Sequence, residues 1–323
     1  MALGAGSVWF AFRQINIDDF FTHLKKLNKG YVFLTMLVGV FAVVLRGLRW
    51  NLMLRPMGYK PCNTNAYHSV MSGYLINSLI PRGGELSRCA LMSRADNIPL
   101  QTLIGTVITE RIIDLLMVLV VCTSATLWQA DALGGYMAEK LQMLGKNSKT
   151  LTIYAAIAIA AIMTVIIIFR RIKHIAVIQS FVKFVNGFTD GIKSVFRLQQ
   201  RGLFILYTLG IWFCYWCTTQ FTYYAFPGMS DAGWEKGLTT LVFSSIGVII
   251  PAPGGAGALP AVQYGLENVY HVNDSLAAAF ATVLVVSQAL VVIISGTLSF
   301  AWLTLKARKM PIQEPIITET GNV

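Results

Sequence analysis

Most of this chain consists of long apolar stretches separated by short polar segments. A helix needs about 20 apolar residues to cross roughly 30 Å of hydrocarbon, and several stretches have that length. They cover residues 31–54, 99–128, 150–169, 202–226 and 275–305. The opening stretch, residues 1–12, is shorter and has neither a basic start nor a cleavage site, so we do not interpret it as a signal peptide. Either this stretch is a short span, or residues that precede it are missing.

Two further apolar runs, residues 63–80 and 238–250, are shorter and are each followed by a proline and a glycine pair. The pairs are Gly83–Gly84 and Gly254–Gly255. Glycine permits a tight reversal with positive φ, so we expect each run to enter the membrane, turn at its glycine pair and return. Irregular backbone at membrane depth is tolerated only inside protein or beside a watery cavity, so both turns are expected to lie in the interior.

The order of spans and breaks repeats once along the chain. Residues 1–149 form the predicted first repeat and residues 150–305 the second, followed by a cytoplasmic tail at 306–323. Three crossings in the first repeat place the second upside down in the membrane, which is a recurrent plan in transporters. We therefore predict one integral membrane domain over 1–323. Its fold class is an all-α polytopic membrane protein with an inverted repeat, about six transmembrane helices and two re-entrant broken hairpins.

Composition and charge agree with a membrane protein and indicate its orientation. The chain is 55% hydrophobic and 13% charged, with a mean hydropathy of +0.60. Its net charge of +11 lies mostly in loops, so we do not expect a nucleic-acid partner. If the C-terminus is cytoplasmic, about two thirds of the 26 lysines and arginines face the cytoplasm. That balance holds only if the two short runs do not cross, and it predicts cytoplasmic termini.

The first break carries three charges, at Arg82, Glu85 and Arg88, in the stretch "NSLIPRGGELSR". A helix that begins near Gly84 would present free N–H groups and two arginines toward the turn. Such a site suits a phosphate or a carboxylate. The alternative is a cytoplasmic loop whose charges are solvated.

The stretch "TERIID" places three more charges within a predicted span. If the helix begins near Pro99, Glu110 lies roughly 16 Å and Asp114 roughly 22 Å along it, on one face. With Arg111 they are expected to form one buried network, either as a functional site or as a structural brace. Arg46 and Arg49 also share a helix face, and the alternative for them is anchoring at the membrane surface beside Trp50.

Other site chemistries are not indicated. The four histidines have no metal-ligand spacing, the chain has no phosphate-binding loop, and "GGAG" is not flanked by the βαβ unit of a dinucleotide site. Cys214 and Cys217 lie in an aromatic, apolar stretch and are expected to be packing residues. We therefore expect no metal and no cofactor, and without a base-and-nucleophile pair we do not expect an enzyme.

Together, "LRGLRW", "NSLIPRGGELSR", "TERIID" and the late proline-glycine-glycine turn resemble the lysylphosphatidylglycerol synthase transmembrane family. That family includes the flippase part of bacterial multiple peptide resistance factors and many stand-alone inner-membrane proteins. The motif positions that match are Arg49, Asn77, Pro81, Arg82, Gly84, Glu85, Arg88, Glu110, Arg111 and Asp114. Apart from Pro81, these residues together with Arg46, Gly83, Gly254 and Gly255 form the candidate substrate-binding set.

The resemblance implies movement of a lipid with a charged, phosphate-containing head group between leaflets of a bacterial inner membrane. The expected partner is a membrane phospholipid or another anionic lipid, and the sequence leaves self-association open. The alternative function is a non-transporting membrane subunit that binds a lipid or a lipid-linked glycan for a separate transferase. Two departures weaken the second half-site: no glutamate follows its glycine-rich turn, and its late span lacks an arginine. Because only a short tail follows the last span, lipid aminoacylation by this chain is not expected.

Overall fold

The computed structural model describes residues 16–81, 83–130, 132, 134–135, 200–249 and 252–308. These residues form α-helices and two short 3₁₀ turns, without a β-strand. The helices are α1 (Ile17–Lys25), α2 (Lys29–Leu54), α3 (Asn63–Leu79), α4 (Gly83–Asp96), α5 (Leu100–Trp128), α6 (Arg201–Ala225), α7 (Trp234–Ile249), α8 (Ala258–Tyr270) and α9 (Asp274–Arg308). The 3₁₀ turns are Arg55–Met57 and Pro253–Gly255. The predicted all-helical class is confirmed.

Three of the described helical segments are long and apolar enough to cross a membrane: Lys29–Met57, Arg201–Ala225 and Asp274–Lys306. They correspond to three of the spans predicted from the sequence. Helix α5 has 29 residues and is not among these three, and charged residues lie near its middle. The predicted spans at 1–12 and 150–169 lie outside the described residues, so the number of crossings stays a prediction.

Helices α3 and α4 form a hairpin that returns to the end of the molecule where it begins. At that end, the backbone N–H of Cys62 donates to Asp96 Oδ2 at 3.2 Å, and Asn65 Nδ2 donates to Asp96 Oδ1 at 2.5 Å. The same end holds the start of α6 and the end of α9. Arg55 Nη1 donates there to Gln200 Oε1 at 2.7 Å, and Lys306 donates to the side chain of Asn65 at 2.8 Å.

Helices α7 and α8 form a second hairpin, which begins and ends at the opposite end of the molecule. Lys236 in the first turn of α7 lies 5.7 Å from the ring centroid of Tyr270, the last residue of α8. The hydroxyl of Tyr270 donates to Gln129, at the end of α5. The tips of the two hairpins meet, because a Cβ added to Gly254 would lie 3.9 Å from Ser78 Cβ. The placement of these hairpins in a bilayer, and their relation as an inverted repeat, stay predictions.

The two glycine pairs have different backbone roles. Gly254 and Gly255 have φ of 62° and 75°, as expected for a tight reversal. The same expectation for Gly83–Gly84 is wrong, because these glycines form the first turn of α4 and their φ is not positive. The chain leaves α3 through Ile80 in extended conformation, with φ −124° and ψ 105°, so no glycine reversal is needed.

Candidate functional site

Five charged side chains from three helices meet in the interior. Arg46 and Arg49 lie on α2, Arg88 on α4, and Glu110 and Asp114 on α5. Arg49 and Glu110 are fully buried, Arg46 and Arg88 are nearly so, and the side chain of Asp114 is 16% exposed. We call these five residues the buried charge cluster. It joins the Arg46/Arg49 pair, the glycine-rich break and the "TERIID" stretch in one place.

Each carboxylate of the cluster contacts more than one guanidinium. Arg46 donates to Glu110 Oε1 from Nε at 2.7 Å and to Asp114 Oδ2 from Nη2 at 2.6 Å. Arg49 Nη2 lies 2.8 Å from Asp114 Oδ1 and 3.5 Å from Glu110 Oε1. Arg88 Nη2 donates to Glu110 Oε2 at 2.8 Å. The two carboxylate oxygens of Glu110 therefore face different helices, because Oε1 contacts arginines of α2 and Oε2 contacts the arginine of α4.

Aromatic side chains surround the cluster. Tyr215 of α6 accepts a hydrogen bond from Arg46 Nη1 at 3.0 Å. The guanidinium of Arg88 lies over the ring of Trp50, 4.9 Å from its centroid. Trp50 is fully buried and its indole N–H donates to the hydroxyl of Thr106 at 2.8 Å. Surface anchoring of Arg46 and Arg49 beside Trp50 is therefore wrong, as is the solvated-loop alternative for Arg88.

The cluster has more positive charge and more donors than its own members use. Three guanidinium groups face two carboxylates, which leaves one excess positive charge among the described side chains. Within the described part of the chain, Arg49 Nε and Nη1 and Arg88 Nε are buried without a hydrogen-bond partner. Buried polar groups are ordinarily satisfied, and unsatisfied ones require an explanation. A bound anion would supply both the missing negative charge and the missing acceptors.

Arg111 does not belong to the buried cluster, contrary to expectation. Its Nε pairs with Glu85 Oε1 at 2.6 Å, and the two side chains are 45% and 46% exposed. Because consecutive helix positions point about 100° apart, Glu110 faces inward while its neighbour Arg111 faces outward toward α4. Arg111 Nη1 still lies 4.0 Å from Asp114 Oδ2, so this outer pair borders the cluster.

The chain is similar to known membrane protein sequences. Residues 1–296 match the family described as the lysylphosphatidylglycerol synthase TM region. The chain belongs to this family. It is also similar to the UPF0104 membrane protein MJ1595 of Methanocaldococcus jannaschii, at 29% identity over 103 residues. That match covers 31% of this chain and 31% of the relative, so it spans about a third of the curated protein. No solved structure matches the chain.

The remaining candidate residues that the structure describes are not members of the cluster. Gly84 is packed against α3, where a Cβ would clash with the carbonyl oxygen of Gly73 and lie 2.8 Å from Asn77 Cβ. This close approach places Arg88, one turn later, beside Glu110. Gly83 lies beside Ile80, and Arg82 lies outside the described residues. Gly254 and Gly255 form the second hairpin tip, which contacts Ser78 and brings no charged side chain.

Sequence reasoning missed the polar partners that lack a charge. Tyr215 stands in the aromatic stretch of α6, and nothing in its surroundings marks it as a partner of Arg46. Thr106 lies four residues before Glu110, on the same face of α5, and that spacing is a usable signal. No group of three or more potential metal ligands among the described residues is close enough to hold a metal ion.

Proposed function

We propose that this membrane protein binds a lipid with a phosphate-containing head group and moves it between leaflets. The observation that carries the proposal is the buried charge cluster, with its excess positive charge and its unpaired guanidinium N–H groups. Arginine forms short, charge-assisted and often bidentate hydrogen bonds to phosphate. Arg49 and Arg88 would supply these donors, while Glu110 and Asp114 hold the guanidinium groups in place.

The depth of the cluster supports handling of a head group inside the membrane. Glu110 lies ten residues after the start of α5 at Leu100, or roughly 15 Å along the helix axis, about half of the hydrocarbon thickness. Charged side chains at bilayer depth are costly and ordinarily line substrate or ion pathways. A cluster that served only as a structural brace would be expected to balance its own charges and to satisfy its own hydrogen-bond donors.

The proposal extends to the layout in the membrane. We place the protein in a bacterial inner membrane with both termini in the cytoplasm, and we treat the α3–α4 and α7–α8 hairpins as re-entrant. The meeting of their tips at Ser78 and Gly254 supports two hairpins that enter from opposite sides. The proposal includes no chemical step on the lipid.

The second candidate is a non-transporting subunit that binds a lipid or a lipid-linked glycan for a separate transferase. The description of the family favours it, because that description names the transmembrane region of a synthase. The same cluster would then hold a head group without releasing it to the other leaflet. Binding of phosphate lipids is common to both candidates, and leaflet movement distinguishes them.

The experiment is leaflet movement of labelled phosphatidylglycerol, with labelled diacylglycerol as the neutral comparison, in vesicles containing the purified full chain. We expect movement of the phosphate lipid, its loss in Arg49→Gln and its retention in Arg55→Gln. Arg55 is the matched control because it is the exposed arginine that follows α2 and pairs with Gln200. Arg49→Lys keeps the charge and tests the guanidinium geometry if Arg49→Gln is unstable. Binding of the phosphate lipid without movement would favour the second candidate, and neither binding nor movement would contradict both.

A further inference from the structure

Two ion pairs join α4 to α5 in crossed order. On α4, Glu85 is followed three residues later by Arg88, and on α5 Glu110 is followed directly by Arg111. The inner pair joins Arg88 to Glu110 at 2.8 Å, and the outer pair joins Glu85 to Arg111 at 2.6 Å. Helix α4 therefore contributes the base of the buried pair and the acid of the outer pair. Helix α5 contributes the acid of the buried pair and the base of the outer pair.

The outer pair is the accessible one. The side chains of Glu85 and Arg111 are 46% and 45% exposed, whereas those of Glu110 and Arg88 are 0% and 4% exposed. Charged side chains at membrane depth ordinarily face a water-filled cavity, and an ion pair that faces water gains little from its own attraction and can open at small cost, unlike a buried one. Arg111 also lies 4.0 Å from Asp114, so an anion held by Arg111 would already be at the border of the buried cluster.

Glu85 gives Arg111 the same kind of partner that a phosphate would give it. A carboxylate and a phosphate both accept hydrogen bonds from the guanidinium edge, often in bidentate geometry. A lipid phosphate approaching the cluster from this side meets Arg111 already paired and meets the negative charge of Glu85. The Nε–H that Glu85 occupies becomes available to the phosphate only if Glu85 moves away.

We propose that Glu85 is an exchangeable counter-ion of Arg111, displaced by the phosphate of the arriving head group and restored when that head group leaves. This inference rests on the proposed function, since it concerns how the same site admits and releases a phosphate lipid. Arg111 is the receiving cation, and Glu85 is its internal competitor. Glu85 therefore weakens head-group binding, which is the opposite of what a ligand-contacting polar residue would do.

The test is a double-mutant cycle on the purified full chain in neutral detergent, with short-chain phosphatidylglycerol as the probe. We expect Glu85→Gln to bind the probe about two- to fivefold more tightly, the range of an exposed ion pair converted to affinity. Arg111→Gln should bind it more weakly. In the Arg111→Gln background, adding Glu85→Gln should not change the affinity for the probe, because Glu85 then has no guanidinium group for which to compete.

Two controls make the cycle specific. Glu267→Gln removes one negative charge on α8, where Glu267 accepts a hydrogen bond from Gln263, and should leave the affinity unchanged. Thermal unfolding of each variant checks that the fold is retained.

Inorganic phosphate is a second probe. Wild-type binding of inorganic phosphate as tight as that of short-chain phosphatidylglycerol would overturn a lipid as the exchanging partner, and tighter binding of the lipid supports it.

The exchange is overturned if Glu85→Gln weakens binding or leaves it unchanged, or if its gain persists in the Arg111→Gln background. The proposed function fails separately, if the wild-type chain binds phosphatidylglycerol no better than short-chain diacylglycerol. Loss of binding in Arg49→Gln together with no gain in Glu85→Gln would leave the proposed function standing and reject only the exchange.

Discussion

Glu110 and Arg111 are neighbours in the sequence with opposite surroundings. Glu110 is fully buried and faces three guanidinium groups, whereas Arg111 is half exposed, pairs closely with Glu85 and lies 4.0 Å from Asp114. Burial decides the energetic weight of each charge, because breaking a buried pair leaves an uncompensated charge and breaking an exposed pair does not. A Glu-to-Gln change in the buried pair should therefore lower the stability of the protein much more than the same change in the exposed pair.

At the residue scale, we predict that Glu110→Gln destabilises the protein by roughly 3–5 kcal/mol, since three buried arginines would then share one carboxylate. Glu85→Gln should cost less than about 1 kcal/mol. The measurement is thermal unfolding in neutral detergent. Added phosphatidylglycerol should restore stability to Glu110→Gln more than to Glu85→Gln, because the ligand supplies the missing negative charge. Equal losses in the two variants would contradict the assigned burial.

At the element scale, a small residue controls how closely α3 and α4 pack. Gly84 is buried against Gly73 and Asn77, where a Cβ cannot be placed without movement of the backbone or of its neighbours. Because Arg88 lies one turn beyond Gly84, a change in the distance between these helices moves the guanidinium that pairs with Glu110. The glycine therefore acts on the site through helix packing rather than through a turn.

We predict that Gly84→Ala costs roughly 1–3 kcal/mol, as for overpacking elsewhere, and also lowers head-group affinity. Gly105→Ala on α5 is the matched control, since a Cβ there meets nothing within 4 Å. That change should be neutral or stabilising by up to about 1 kcal/mol, because alanine favours helix more than glycine does. Unfolding and lipid binding measured together test this, and equal effects of the two alanines would contradict the close approach at Gly84.

The helices were predictable from the sequence, and most side-chain contacts between them were not. Long apolar stretches separated by polar segments predicted α2, α6 and α9 within a few residues, because membrane spans require that length and polarity. The spacing of Arg46 and Arg49 indicated a shared face. Their pairing with Glu110 and Asp114 depends on how α2 packs against α5, which one sequence does not specify. Arg111 was misplaced because its charge, not its direction on the helix, guided the expectation.

At the scale of the whole molecule, the two ends are chemically distinct. Arg55, Asn65, Asp96 and Lys306 share one end, and Lys236, Tyr270 and Gln129 share the other. The grouping of residues near 55, 96, 200 and 306 at one end agrees with the basic side expected from the sequence. The end that carries Cys62 should therefore face the cytoplasm.

We predict that a membrane-impermeant thiol reagent labels Cys62 in inside-out vesicles and a Ser230→Cys variant in right-side-out vesicles. Cys62 is suitable because it is exposed, whereas Cys89, Cys214 and Cys217 are buried. Ser230 is exposed in the loop between α6 and α7. Labelling of both positions from one side would contradict the assignment of the two ends to opposite faces of the membrane.

The contact between the hairpin tips should also restrict transport. The Cβ positions of residues 78 and 254 would lie 3.9 Å apart, within the range of about 3.5–4.5 Å found in disulfides. We therefore expect Ser78→Cys/Gly254→Cys, with the five native cysteines replaced by alanine, to form a disulfide on mild oxidation. Because cysteine at the positive φ of Gly254 strains the turn, the reduced form of the same variant is the baseline. If the α3–α4 tip moves away from the Pro253–Gly255 turn during transport, the oxidised protein should lose leaflet movement and recover it on reduction. Ser78→Cys/Ser230→Cys, which joins a tip to the opposite end, should neither cross-link nor respond to oxidant. Full leaflet movement in the cross-linked protein would show that the tips stay together during transport, and the route to the cluster would then have to pass the Glu85–Arg111 pair alone.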